Sequence, residues 1–207
     1  MAADRAVYSP LDRRFMRLAL NQAARAAAEG ETPVGAIVVY QGQVVGRGRN
    51  RREQRTDATE HAEIMAIRQA CRRLHSWRLD DCDLYVTLEP CLMCAGAIIN
   101  ARIRRVVYAA PDPKAGACGS VVAAQDFPLL HTVTCEGGLL GEDAADMLRA
   151  FFKKLRERDR SRGSRGQRRE EAVSGKKRFG EMLSSSDPEQ TECSEQSDDN
   201  QDAGLCR

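Results

Sequence analysis

The sequence contains no run of 18 or more apolar residues, which excludes a membrane-spanning helix. Its opening residues, MAADRAVYSP, hold neither an apolar segment nor a small-residue cleavage site. We therefore expect a soluble protein that stays in the cytoplasm. A strong charge imbalance is missing as well: 32 Lys and Arg stand against 30 Asp and Glu, and a net charge of +2 does not by itself argue for a nucleic-acid partner. The eight cysteines are scattered irregularly over a long chain without a secretory signal, so reduced thiols are expected rather than a disulfide framework.

What is present reads as one compact domain with additional sequence at its ends, since 207 residues with 42% hydrophobic content suit a single core. Leu11, Phe15, Leu18, Ala19 and the run from Gln22 to Ala28 follow helical spacing, with Gly30 placed to stop the helix. Residues 34–40 and 43–48 are short β-branched runs joined by Gln41 and Gly42, the pattern of a hairpin. Helical spacing returns over 62–74, a buried strand follows at 83–88, a proline-opened helix at 90–101 and another strand at 105–109. A strand near 132–135 and an amphipathic helix over about 142–158 complete the set. This order predicts an α/β sandwich with helices on both faces of a sheet.

The expected boundaries are a flexible N-terminus at 1–10, a folded domain at 11–159 and a disordered tail at 160–207. Charge in the tail region is polarised. Residues 153–178 carry 12 basic and 4 acidic side chains, whereas 179–207 carry 1 basic and 8 acidic. The tail is either a solvated appendage or, in its basic half, an additional source of phosphate contacts to RNA.

Two short segments carry the chemistry: His61-Ala62-Glu63 at the start of one predicted helix and Pro90-Cys91-Leu92-Met93-Cys94 at the start of another. Cysteines three apart on a helix sit on neighbouring positions and can share one ion. A helix's first turn, with its unpaired amides and dipole, favours thiolate over thiol. Two thiolates and one imidazole supply three ligands, which leaves a four-coordinate zinc one position for water, as in a catalytic site. Glu63, two residues from the ligand His61, can then act as the proton shuttle. A structural zinc ribbon would need a second C-x-x-C or a paired histidine, and none of Cys71, Cys82, Cys118 or Cys135 forms such a pair. His75 and His131 have no partner motif and receive no role.

The H-x-E and P-C-x-x-C elements resemble the signature of the cytidine-deaminase-like zinc superfamily. A closer resemblance, to the bacterial tRNA adenosine deaminases, is carried by Pro33-Val34-Gly35-Ala36, Asn50, His61 to Ile64, Thr87 to Cys91, Met93 to Ile98, Arg102-Ile103 and Asp112 to Ser120 (DPKAGACGS). It extends over about Phe15 to Arg156.

That resemblance implies a three-layer α/β/α sandwich around a five-stranded mixed sheet, a homodimer, one zinc ion per subunit and a tRNA anticodon loop as partner. The implied reaction is hydrolytic conversion of adenosine to inosine at the wobble position of an arginine tRNA, with release of ammonia. Implied residue roles are His61, Cys91 and Cys94 for zinc, Glu63 for catalysis, Asn50 for a hydrogen bond to the flipped base, and Val34 and Leu88 for apolar walls. The backbone near Ala62 and Cys91 would face the reacting carbon, and Asp112 the neighbouring ribose. Arg51, Arg52, Phe152, Lys153, Lys154 and Arg156 are expected on the RNA side. Taken by themselves, Asn50 could equally be a turn residue, one of Phe151 and Phe152 a core residue, and the arginines from 47 to 55 a solvated loop. Glu60 stands before the ligand histidine where a small or apolar residue is expected, so the local charge should differ from the family's usual site.

Zinc and a glutamate fix the reaction class and not the base. A deaminase of free guanine or cytosine, and a non-catalytic zinc-stabilised RNA-binding subunit, remain alternatives. The second leaves Glu63 without a purpose.

Overall fold

A computed structural model describes residues 8–161 of the chain. Most of the first ten residues and nearly all of the 160–207 tail lie outside the described residues. Residues 8–10 do join the fold. Helix α1 spans Pro10–Ala28, one residue ahead of the expected start. Ser9 caps it, accepting the Asp12 N–H at 3.1 Å while the Asp12 carboxylate accepts the Ser9 N–H at 2.9 Å. This reciprocal cap satisfies two donors that a helix end otherwise leaves open.

Strands β1 (Gly35–Tyr40) and β2 (Gln43–Arg49) form the predicted hairpin, with Gln41 and Gly42 at φ of 48° and 74° in its turn. A short helix α2, Arg52–Arg55, occupies the segment read as an arginine loop. Helix α3 (Ala62–Leu74), strand β3 (Cys82–Leu88), helix α4 (Leu92–Asn100) and strand β4 (Arg105–Ala110) follow. A 3-10 turn at Ala124–Asp126, strand β5 (Thr134–Gly137) and helix α5 (Gly141–Ser161) close the fold. β5 starts two residues later than expected.

The five strands form one mixed sheet in the order β2-β1-β3-β4-β5. β1 is antiparallel to both β2 and β3, while β3, β4 and β5 run parallel. Side chains alternate across this sheet with the period of a strand. On one face Ala36, Val38, Leu84, Val86 and Val106 pack with Ala62, Ala66 and Ala70 of α3 and Ile98 of α4. On the other, Ile37, Val39, Tyr85, Val107 and Ala109 pack with Phe15, Met16 and Ala19 of α1 and Ala144 of α5. The three-layer α/β/α arrangement is therefore present, and its inner strands are apolar on both sides.

Two local features lock helices and strands of this fold together. α3 lies so close to β2 that a Cβ on Gly48 would run into the Ala62 carbonyl, so a glycine is needed where the helix start meets the strand. Asp12, only 7% exposed, accepts hydrogen bonds from Tyr85 Oη at 2.7 Å and Arg105 Nη1 at 2.8 Å. Arg105 also grips Glu136 through Nε and Nη2 at 3.0 and 2.7 Å, which joins α1, β3, β4 and β5 in one charged network.

Candidate active site

α3 and α4 both begin at the same end of the sheet, and their first residues meet. His61 is the N-cap of α3, and Cys91 is the N-cap of α4. The expectation that both cysteines lie within the helix needs this correction. Cys91 is extended and forms a β-bridge with Gly116, and the helix starts only at Leu92. Cys94 lies in the first turn and is fully buried, while Cys91 is half-buried.

His61 Nδ1 is 3.5 Å from Cys94 Sγ and 3.7 Å from Cys91 Sγ, and all three donor atoms lie within 4.8 Å of one another. A tetrahedral ion bound at about 2.3 Å to sulfur and about 2.0 Å to nitrogen sets such donors about 3.5 Å apart. The spacing and the donor set both fit zinc. Among the described residues this is the one His, Cys, Asp or Glu group able to hold a metal. Cys118 and Cys135 also meet, their sulfurs 3.2 Å apart, but lack a third donor.

The electrostatics follow from this crowding. A hydrogen bond from Cys94 draws the Cys91 thiol down to about 4 against the effect of burial, with His61 helping. Cys94 is pushed up, first by its hydrogen bond to Cys91 and then by burial. His61 is raised by its hydrogen bond to Cys91, which outweighs its own burial.

Glu63 lies in the first turn of α3, 3% exposed, and its Oε2 has no hydrogen-bond partner. Burial pushes its carboxyl up to about 7, with hydrogen bonding and His61 pulling the other way. A buried carboxylate oxygen left unpaired costs stability unless something outside the chain satisfies it.

Asn50, after β2, is buried and its Oδ1 accepts the Ala62 N–H at 3.0 Å. It is not a simple turn residue, and it holds the Ala62 N–H within the backbone stretch expected near the reacting carbon. Val34 is buried beside β1 and accepts the Asn50 N–H through its carbonyl at 3.1 Å, whereas Leu88 is half-buried at the end of β3. Asp112 is half-exposed in the loop after β4, where its Oδ1 accepts the Lys114 N–H at 2.9 Å.

A family model for MafB19-like deaminases matches residues 12–156. The tRNA-specific adenosine deaminase of Aquifex aeolicus is 47% identical over 143 residues, covering 69% of this chain and 94% of that protein. That of Bacillus subtilis is 40% identical over 151 residues, covering 72% and 94%. This chain belongs to the tRNA-specific adenosine deaminase family.

Solved deaminase structures are similar as well. One from studies of A-to-I editing by tRNA deaminases at the wobble position of transfer RNA is 47% identical with a TM-score of 0.64, covering 65% of this chain and 99% of that one. The guanine deaminase of Nitrosomonas europaea is 25% identical with a TM-score of 0.57, covering 71% and 86%.

For a deaminase of this family, the residues expected on the RNA side differ in how free they are. Arg51 reaches Glu29 at 3.7 Å, and Arg49 forms a salt bridge to the same carboxylate at 2.6 Å, so part of the arginine cluster is neutralised. Arg52 on α2 is exposed. On α5, Phe151 and Leu155 are half-buried, while Phe152, Lys153, Lys154 and Arg156 are exposed. Of the two phenylalanines, then, Phe151 is the one turned toward the fold. Glu60 does not leave an unbalanced charge beside His61, since Arg68 Nη1 donates to its Oε1 at 3.3 Å.

Sequence reasoning missed Glu89. It precedes the P-C-x-x-C element directly, is 2% exposed, and binds the loop after β4. A charged residue before a proline carries no signal of such a partner, because the loop is more than twenty residues away in sequence.

Proposed function

We propose that the protein hydrolyses adenosine to inosine at the wobble position of an arginine tRNA anticodon, releasing ammonia, with one zinc ion held by His61, Cys91 and Cys94. The observation that carries this reading is the unpaired, buried Glu63 carboxylate oxygen beside the three metal-capable side chains. When bound, zinc supplies a Lewis acid that brings the ionisation of water toward neutral pH.

Glu63 accepts the proton of the attacking water, passes it to a ring nitrogen of adenine, and later helps protonate the departing amine. Burial suits it to both directions, because a carboxyl raised to about 7 gives up and regains a proton at neutral pH. Asn50 spends Oδ1 on Ala62, which leaves its NH₂ group to donate to the inserted base. Val34 and Leu88 serve as apolar walls, the backbone near Cys91 faces the reacting carbon, and Asp112 approaches the neighbouring ribose. Arg51, Arg52, Phe152, Lys153, Lys154 and Arg156 add phosphate and base contacts around a loop whose unstacked adenine is cheap to extrude.

Residues 11–159 act as the catalytic unit, and a tRNA substrate places it in the cytoplasm. No helix among the described residues is long and apolar enough to cross a membrane. The working form is a homodimer, a reading that rests on the resemblance drawn from the sequence and on the exposed apolar side chains of Leu92, Met93 and Val121.

The test is incubation with tRNA followed by cDNA synthesis, alongside ammonia release from free bases. Wobble adenines read as guanosine support the proposal. Ammonia from free guanine or cytosine with unchanged tRNA overturns it in favour of a free-base deaminase.

A further inference from the structure

Glu89 sits between the metal-capable site and the loop that follows β4, and all of its bonding capacity faces that loop. Oε1 accepts the N–H groups of Cys118 at 2.9 Å and Ser120 at 3.0 Å. Oε2 accepts the Asp112 N–H at 3.0 Å and, through a short contact, the Ser120 hydroxyl. The carboxylate is 2% exposed, so four donors rather than water balance its charge. Its own N–H is held by the Ala110 carbonyl at 2.9 Å.

The same segment is fastened from the other side. Ala117 donates its N–H to the Pro90 carbonyl at 2.8 Å, and Gly116 bridges to Cys91. A Cβ on Gly116 would overlap the Glu89 carboxyl, so the loop approaches this side chain as closely as a backbone can. The loop carrying Asp112 is thereby fixed to the residues immediately preceding Cys91.

We propose that Glu89 is the positioning residue that sets Asp112 and the 112–120 loop in register with the metal-capable site, so that it governs how firmly the substrate's neighbouring nucleotide is held. This deepens the proposed reaction and rests on it. Only a carboxylate does this well. In a Glu89→Gln variant the amide NH₂ must face either two backbone N–H groups or the Asp112 N–H, and a donor facing a donor forms no bond. The metal-capable side chains are untouched by that change.

The experiment compares wild type with Glu89→Gln in zinc content, amide hydrogen exchange and steady-state kinetics on a tRNA anticodon stem-loop. We expect unchanged zinc, at least about tenfold faster exchange at Asp112, Cys118 and Ser120, and KM raised by about tenfold with kcat within about threefold, the pattern of lost ground-state binding. Gly116→Ala, whose Cβ would push the loop away from the Glu89 carboxyl, should reproduce the KM effect. Should Glu89→Gln fail to fold, Ser120→Ala removes one of the four bonds and is expected to shift exchange and KM in the same direction by a smaller factor. Unchanged exchange and KM in the variants overturns the inference, as does a fall in kcat together with loss of zinc, which would make Glu89 a structural support of the metal site. If wild type forms no inosine on the stem-loop, the proposed reaction itself fails. In that case unchanged exchange would show independently that Glu89 does not hold the loop.

Discussion

Asn50 Oδ1 accepts the Ala62 N–H at 3.0 Å, which ties the end of the β1–β2 hairpin to the helix start that presents His61 and Glu63. The oxygen of this side chain anchors α3, and in the proposed reaction its NH₂ group is left to donate to a base.

Substitutions at this position separate the two. Asn50→Ala leaves the buried Ala62 amide unpaired, a loss of about 1–3 kcal/mol, and should lower Tm by several degrees while abolishing activity. Asn50→Asp retains an acceptor at a helix N-terminus, so Tm should stay closer to wild type. It removes the donor, however, and inosine formation should fall at least as far as in the alanine variant. Thermal melts and the tRNA assay, run side by side, check both outcomes.

Glu63→Ala should keep zinc and tRNA binding while turnover drops by about 10²–10⁴, the contribution of a positioned general acid–base. Glu63→Gln, which preserves the packing, should fall by a similar factor. Metal analysis, tRNA binding and turnover on the same preparations check this, and full activity in either variant contradicts the proton-shuttle role.

Metal affinity should weaken as pH falls. Cys91 and burial raise the Cys94 thiol, and His61 is raised as well, so protons compete with a metal for both donors. Zinc titration into chelator-stripped protein should release protons, and the apparent Kd should rise steadily from pH 8 to pH 6. Competition against a chromophoric chelator at several pH values measures it.

Acid stability should depend on Asp12. Burial acts to raise its carboxyl, but hydrogen bonds from Tyr85, Arg105 and Ser9 outweigh this and hold it well below the ordinary 3.8. A carboxyl depressed on folding contributes stability in full above its unfolded value and loses it as pH falls toward the folded one. The Tm of wild type should therefore fall below about pH 4 more steeply than that of Asp12→Asn, which starts lower at pH 7. Parallel acid curves for the two proteins would contradict the assignment.

The candidate site is legible in the sequence because it depends on few residues with fixed spacing: His61, Glu63, Cys91 and Cys94 stand out by their motifs, and the structure brings the donor atoms of His61, Cys91 and Cys94 within 4.8 Å of one another. The inner strands were legible for a similar reason, since β-branched runs buried on both faces leave few alternatives. Features set by contacts between distant segments were not. The extended Cys91 depends on Gly116, the Asn50 anchor on where α3 begins, and the Glu89 clamp on the loop after β4. α2 was missed because four residues are too few to establish a helical period.

The most direct test is elemental analysis with X-ray absorption on purified, active protein. The account predicts one zinc per chain with two sulfur and one imidazole-nitrogen neighbour, and loss of the metal in Cys91→Ala. Active protein without stoichiometric zinc, or zinc retained in full by that variant, would contradict it.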